Sequence, residues 1–143
     1  MSTQPQYGAQ PIGFGPSSSG TANTARDGTG TINLLCTGRG PGTRVERVHV
    51  KAAGTTTAGM VRLFKRANGL ARATDGSFAS YAAPAWRLIA EIAVVAITPS
   101  GSVATFETDW VPTNGHALGD GEQLGWAPNN AETFNVEACG QHL

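Results

Sequence analysis

Residues 85–111 read AWRLIAEIAVVAITPSGSVATFETDWV, and the patterning of this stretch decides the fold class. Trp86, Leu88, Ala90, Ile92 and Val94 alternate with Arg87, Ile89, Glu91 and Ala93, and a period of two places the first set on one face of a strand. Beyond Thr98-Pro99-Ser100-Gly101 the chain returns with Ala104, Phe106, Thr108 and Trp110 in phase. Pro99 presets φ for a turn and Gly101 tolerates left-handed geometry, so the stretch is expected to form two long strands joined by a tight turn. Residues 93–97 are apolar on both faces, which calls for burial on two sides, by a second layer or by another subunit.

The same period recurs on either side. In residues 44–53 (RVERVHVKAA), Val48, Val50 and Ala52 oppose Arg47, His49 and Lys51; in residues 29–38, Ile32, Leu34 and Cys36 share a face. In MVRLFKR, Val61 and Leu63 oppose Arg62, with Met60 and Phe64 on the arginine's side; if both sides are covered, this strand lies at an interface. Downstream, Leu124 and Trp126 are in phase, as are Phe134, Val136 and Ala138. Turn signals separate the runs: GRGPG at 38–42, a loop at 54–59, Asn114-Gly115, Asp120-Gly121 and Pro128-Asn129-Asn130. Residues 68–84 form a long connection containing Phe78 and Tyr81, of the kind that covers one end of a sandwich or carries binding residues. The expected fold is all-β, an antiparallel β-sandwich of about seven or eight strands over residues 29–143, immunoglobulin-like or jelly-roll in topology.

Residues 1–28 differ in composition. They are rich in Gly, Pro, Ser, Thr, Gln and Ala, and Tyr7, Ile12 and Phe14 are the large apolar groups in the arm. Alone, such a segment buries too little apolar surface to offset its ordering entropy. It is expected to be an extended or flexible N-terminal arm that docks on a neighbour through those three residues.

The chain has 143 residues, 19 of them glycine, with 14% charged residues and no net charge. A general nucleic-acid binder would carry a basic excess, so that class is set aside. The neutrality hides an asymmetry. Residues 39–72 hold eight basic side chains against one acid, Glu46, whereas residues 88–143 hold seven acids and no Lys or Arg. Two arrangements account for it: basic and acidic strands paired across one sheet, or patches of opposite sign that meet between subunits.

Cys36 and Cys139 fall on opposite parities relative to the apolar residues of their strands, so they are not expected to bridge. With no signal peptide, no apolar run near 18 residues and no lipidation motif, the chain is expected to fold in the cytoplasm with reduced thiols, without a membrane partner. His49, His116 and His142 form no H-x-x-x-H and the chain has no C-x-x-C, so no metal or other cofactor is expected. There is no G-x-S-x-G, and the glycines of DGTGTI lack the third glycine and the helix of a dinucleotide site. Glu107 and Asp109 share a strand face about 6–7 Å apart, where a solvated pair is the simpler reading than a catalytic one. Asp120-Gly121-Glu122 reads as a turn rather than a calcium loop. Trp86, Trp110 and Trp126 are in phase with the apolar residues of their own strands and are expected in the core.

Three stretches, GTTTAGMVRLF (54–64), WRLIAEIAVVAITPSG (86–101) and NNAETFNVEACG (129–140), resemble small structural proteins of tailed bacteriophages and related gene-transfer particles. The resemblance covers about two thirds of the chain and carries no catalytic motif. It implies a virion protein made in the host bacterial cytoplasm, non-enzymatic, decorating or associated with the head. Its expected partners are the major capsid protein or another virion protein, and further copies of itself, a trimer being one form. Capsid contact is assigned to Tyr7, Ile12 and Phe14 of the arm and to Arg44, Arg47, Lys51, Arg62 and Lys65. Self-association is assigned to Val95, Ile97, Glu107 and Asp109. A tail or neck component is the neighbouring alternative. A carbohydrate-binding host-attachment sandwich, with its site around Tyr81 and Asp120, is the alternative of another class.

Overall fold

The computed structural model describes residues 10–67, 70–72, 78–80 and 85–143. Its strands are β1 (Gln10–Ser19), β2 (Asn33–Thr37), β3 (Thr43–Ala52), β4 (Gly59–Arg66), β5 (Leu70–Arg72), β6 (Phe78–Ser80), β7 (Arg87–Val94), β8 (Glu107–Trp110), β9 (His116–Leu118), β10 (Gln123–Pro128) and β11 (Phe134–His142). Among the described residues there is no helix.

Two antiparallel sheets face each other across one core. The first runs β1-β11-β3-β8, with β9 also on the free side of β3; the second runs β2-β10-β4-β7. β5 and β6 form a separate hairpin inside the connection from β4 to β7. With that hairpin and β9 set aside, the eight remaining strands in chain order stack as first, eighth, third, sixth in one sheet and second, seventh, fourth, fifth in the other. This is the jelly-roll order, so of the two topologies compatible with the patterning the chain adopts the jelly roll. Val45, Val48, Val50, Phe134 and Val136 of the first sheet meet Val61, Leu63, Leu124 and Trp126 of the second, all essentially inaccessible to solvent. Trp126 reaches across the core, and its Nε1 donates to Ser17 Oγ at 3.0 Å.

The stretch at 85–111 does not close on itself as a hairpin. β7 pairs with β4 in the second sheet and β8 with β3 in the first, so residues 95–106 cross between sheets and only the tip, Ser100 to Val103, makes a local turn. Cross-strand charge accompanies this pairing: Arg62 lies opposite Glu91, and Lys51 and His49 lie opposite Glu107 and Asp109.

Three bulges explain where alternation misleads. Register shifts leave Leu35, Glu46 and Ile89 as extra residues on β2, β3 and β7. Past Leu35 the parity resets, so Leu35 and Cys36 are buried while Leu34 is exposed. Past Ile89 it resets again: Ala90 sits opposite the core residue Leu63, but Leu88 sits opposite Phe64. Trp86 therefore leaves the core and lies on the outer face of the second sheet, under the Arg66 guanidinium at 4.7 Å. Gly125 permits this, since a Cβ there would come within 2.7 Å of Ile32 and 2.9 Å of the Trp86 ring. Trp126 is the fully buried tryptophan, and Trp110 packs partly against the core.

Residues 10–19 of the segment read as an arm run as edge strand β1 along β11, from Gln10 opposite His142 to Ser19 opposite Phe134. Residues 20–32 then strap the outer face of the second sheet. Asn23 is buried there; its amide N–H donates to Pro128 O and its side chain donates to Thr29 O and Thr31 O. The second covered side of β4 is thus supplied by the chain itself.

Candidate functional site

The two outer faces of the sandwich differ because their strands differ. On β3, Arg47, His49 and Lys51 point away from the core: Lys51 lies between Asn135 and Glu107, His49 between Glu137 and Asp109, and Arg47 opposite Cys139. Lys51 Nζ approaches Glu107 Oε2 at 3.1 Å, His49 Nδ1 approaches Asp109 Oδ1 at 2.6 Å, and Arg47 Nη1 lies 3.8 Å from Asp109 Oδ2. These groups are between about a quarter and a half exposed, so solvent screens the pairs and they add little to stability. The Cys139 thiol and then the Asp109 carboxylate beside it push the Arg47 pKa up. The result is a mixed-sign ladder across β11, β3 and β8.

Arg47 and Lys51, assigned to capsid contact, therefore share one face with Glu107 and Asp109, assigned to self-association. The basic and acidic halves of the sequence meet within the chain as cross-strand pairs.

Arg62 sits elsewhere. Its side chain is 3% exposed on the outer face of the second sheet, where Nε donates to Glu91 Oε1 at 2.8 Å and Nη1 to Asn23 O at 2.9 Å. Arg26 Nε reaches the same Glu91 oxygen at 2.8 Å. Hydrogen bonds from Arg62 and then Arg26 hold the Glu91 carboxyl below its ordinary range. A guanidinium withdrawn to this depth fastens the strap and does not offer itself to a partner.

Lys65 and Arg44 lie toward the end reached by the β2–β3, β4–β7 and β8–β10 connections. Lys65 Nζ is 2.8 Å from Glu122 Oε2 and donates to Ala117 O at 3.1 Å. Burial works to raise the Glu122 pKa, but Lys65 and the Gly119 N–H outweigh it and leave it lowered. His116 lies against Trp110, ring centroids 6.0 Å apart; its pKa is lowered, first by burial and then by Lys65. Arg44 Nε and His116 Nε2 are buried without a hydrogen-bond partner. This end is the one at which the loops of the alternative carbohydrate site emerge: Asp120 is in the β9–β10 turn, with Oδ1 accepting from Gly40 N at 3.2 Å. Tyr81 lies outside the described residues.

Val95 and Ile97 occupy the opposite end, on the β7–β8 crossover. Val95 is 55% exposed, whereas Ile97 is partly buried and paired through its backbone with Thr56. Tyr7 lies outside the described residues; Ile12 and Phe14 hold β1 positions opposite Gly140 and Ala138, with their side chains outside the described set. The expected contact residues thus fall on several surfaces rather than one. Alternation could place residues on a face of a strand, but the depth of Arg62 depends on the strap, which no local period encodes.

Cys36, 3% exposed on β2, and Cys139, half-buried on the outer side of β11, are free thiols in different sheets. Burial pushes the Cys36 pKa up to about 12. Among the described residues no group of three or more His, Cys, Asp or Glu could hold a metal ion, and no helix is long and apolar enough to cross a membrane. The chain matches no protein-family model, no curated protein and no solved structure.

Proposed function

We propose that the chain is a non-enzymatic virion structural protein of a tailed bacteriophage or related particle, a capsid decoration or head-associated protein that binds the capsid lattice and reinforces it. The observation that carries the reading is the jelly-roll strand order, taken with the resemblance of residues 54–64, 86–101 and 129–140 to small phage structural proteins. Viral capsid domains use this architecture. Lectin domains use it too, so the surface has to supply the rest.

The outer face of the first sheet suits a lattice partner. Its ladder of opposite signs, Arg47 and Lys51 on β3 beside Glu107 and Asp109 on β8 with His49 between them, would fix register against a complementary surface and exclude wrong ones. β1 borders the same sheet, and Tyr7 precedes it in the chain. Weak contacts per copy suffice where many copies bind one lattice. Arg62 has no part in this surface.

Co-sedimentation of the purified chain with empty tailed-phage capsids tests the reading. Binding in fixed stoichiometry, weakened by the paired substitutions Arg47→Glu and Lys51→Glu, is expected. No binding, or binding indifferent to that change, overturns the lattice surface.

A tail or neck position is the neighbouring form of the same proposal. A carbohydrate-binding reading draws on one observation, the grouping of Trp110, His116 and Lys65 at the end where the β4–β7 and β8–β10 connections emerge. Glycan-array binding lost on Tyr81→Ala would favour it over the lattice.

A further inference from the structure

The connections at one end of the jelly roll run between β1 and β2, β3 and β4, β7 and β8, and β10 and β11. The chain crosses this end through residues 20–25, 53–58, 95–106 and 129–133, where the one charged side chain is Glu132. The rest of the β1–β2 connection, with exposed Arg26 and Asp27, runs on over the outer face of the second sheet. Glu132 is turned inward. Its Oε1 accepts from Thr57 N at 2.8 Å and from Thr57 Oγ1 at 2.5 Å, and Oε2 is buried. In a chain with twenty acidic and basic residues, this end presents almost no charge to solvent.

The same loops are tied to one another. Thr56 pairs with Ile97 through both backbone hydrogen bonds, and its Oγ1 donates to Val95 O at 2.8 Å. Asn130 Nδ2 donates to Thr57 Oγ1 at 2.8 Å, and Ala53 N donates to Thr133 O at 2.9 Å. Upon this fixed platform Val95 and Val103 stand about half exposed, with Ala53, Ala58, Ala96 and Ala104 also open to solvent. Charge appears at the margin, where Lys51 and Glu107 pair. The exposed residues between these valines and alanines are uncharged Thr, Ser and Gly. The end thus combines two valines and four alanines with a surface nearly free of charge, and depletion of charge at the centre is one mark of a protein interface.

We infer that this end is the self-association surface of the protein, and that its occupant is a second copy of the same chain meeting it end to end. The absence of charge suits this occupant. An uncharged patch set against itself leaves no like charges facing across the symmetry axis, and its tied loops have little ordering entropy left to lose. A highly charged partner would have to shed hydration against a surface that returns no ion pair. The inference holds whether the particle is a head or a tail, and it assigns association to Val95 and Val103 while leaving Glu107 and Asp109 at the margin.

Sedimentation equilibrium of the full chain over a range of concentrations tests it. The unaltered protein is expected to form a reversible oligomer, and Val95→Asp and Val103→Asp, each at an exposed position, are each expected to weaken association by at least about a hundredfold through like charges brought face to face. Val111→Asp, at a still more exposed valine outside these four segments, should leave association unchanged. Near-ultraviolet circular dichroism of each variant separates dissociation from misfolding. If Val95→Asp misfolds, Val103→Asp, on the exposed last residue of the tip turn, decides alone. A protein monomeric at all concentrations, or an oligomer indifferent to both substitutions, overturns the inference.

Discussion

Arg62 donates from Nη1 to the backbone carbonyl of Asn23 across 2.9 Å, joining a buried strand residue to a segment 39 positions earlier in the chain. The same guanidinium holds Glu91, which Arg26 also reaches, so one carboxylate and two arginines clamp residues 20–32 over the outer face of the second sheet. Removing the centre of the clamp leaves the Asn23 carbonyl without its donor. Arg62→Ala is expected to destabilise the fold by about 1–3 kcal/mol, the usual cost of orphaning a buried polar group. The strap should also loosen. Urea unfolding measures the first effect, and faster tryptic cleavage after Arg26 measures the second.

The clamp carries a pH dependence of definite sign. The Glu91 pKa is lowered in the folded chain, by Arg62 first and Arg26 second, so the folded state binds its proton less readily than the unfolded state. The stabilisation is therefore fully present above the ordinary glutamate pKa of 4.5 and is lost as pH falls through the lower folded value. Glu91→Gln should lower the urea midpoint at neutral pH. The gap between variant and parent should narrow as pH drops below the ordinary glutamate range. A gap constant across that range would mean that Glu91 does not act as a paired carboxylate.

Gly140 and Gly125 allow a comparison of two tight sites. A Cβ on Gly140 would fall 2.0 Å from the backbone oxygen of Arg44, next to the bulge at Glu46, and backbone cannot swing aside. A Cβ on Gly125 would meet the side chains of Ile32 and Trp86 at 2.7 and 2.9 Å, and side chains on an outer face can shift. Overpacking of this kind costs about 1–3 kcal/mol, and Gly140→Ala should lie at or above the top of that range with Gly125→Ala clearly below it. Thermal melts of the two variants provide the ranking, and an equal or reversed order would show that the first sheet yields at the bulge.

Alternation alone delivered the strands of the core and the all-β class, because Val48, Val50, Val61, Leu63, Phe134 and Val136 obey a period of two. It failed at Leu34, Leu88 and Trp86, each separated from its strand's regular part by a bulge, since one inserted residue reverses every side chain beyond it. It also joined β7 to β8, because sequence neighbours usually pair and the jelly roll is an exception. The meeting of basic and acidic halves was legible as one of two arrangements, and the cross-strand one is present at Lys51 with Glu107 and at Arg62 with Glu91. The neutral end was written in the sequence as four stretches that hold one charge between them, Glu132, but nothing local says that segments as distant as 20–25 and 129–133 converge.

The two thiols offer a direct test of which cysteine faces the core. Cys36 is 3% exposed among core side chains, and burial holds its pKa near 12, so almost none of it is thiolate at neutral pH and no reagent reaches it. Cys139 lies half-buried on the outer side of β11, with Arg47 Nη2 at 3.8 Å, in a position open to reagent. Iodoacetamide added to the folded protein without reductant should therefore add one label, at Cys139, while unfolding in urea should expose Cys36 to a second. Intact mass followed by peptide mapping reads both counts. No label until reductant is supplied would mean that the thiols had bridged, which would require one sheet to have turned its register. Two labels in the folded state would mean that β2, an edge strand, opens readily from β10.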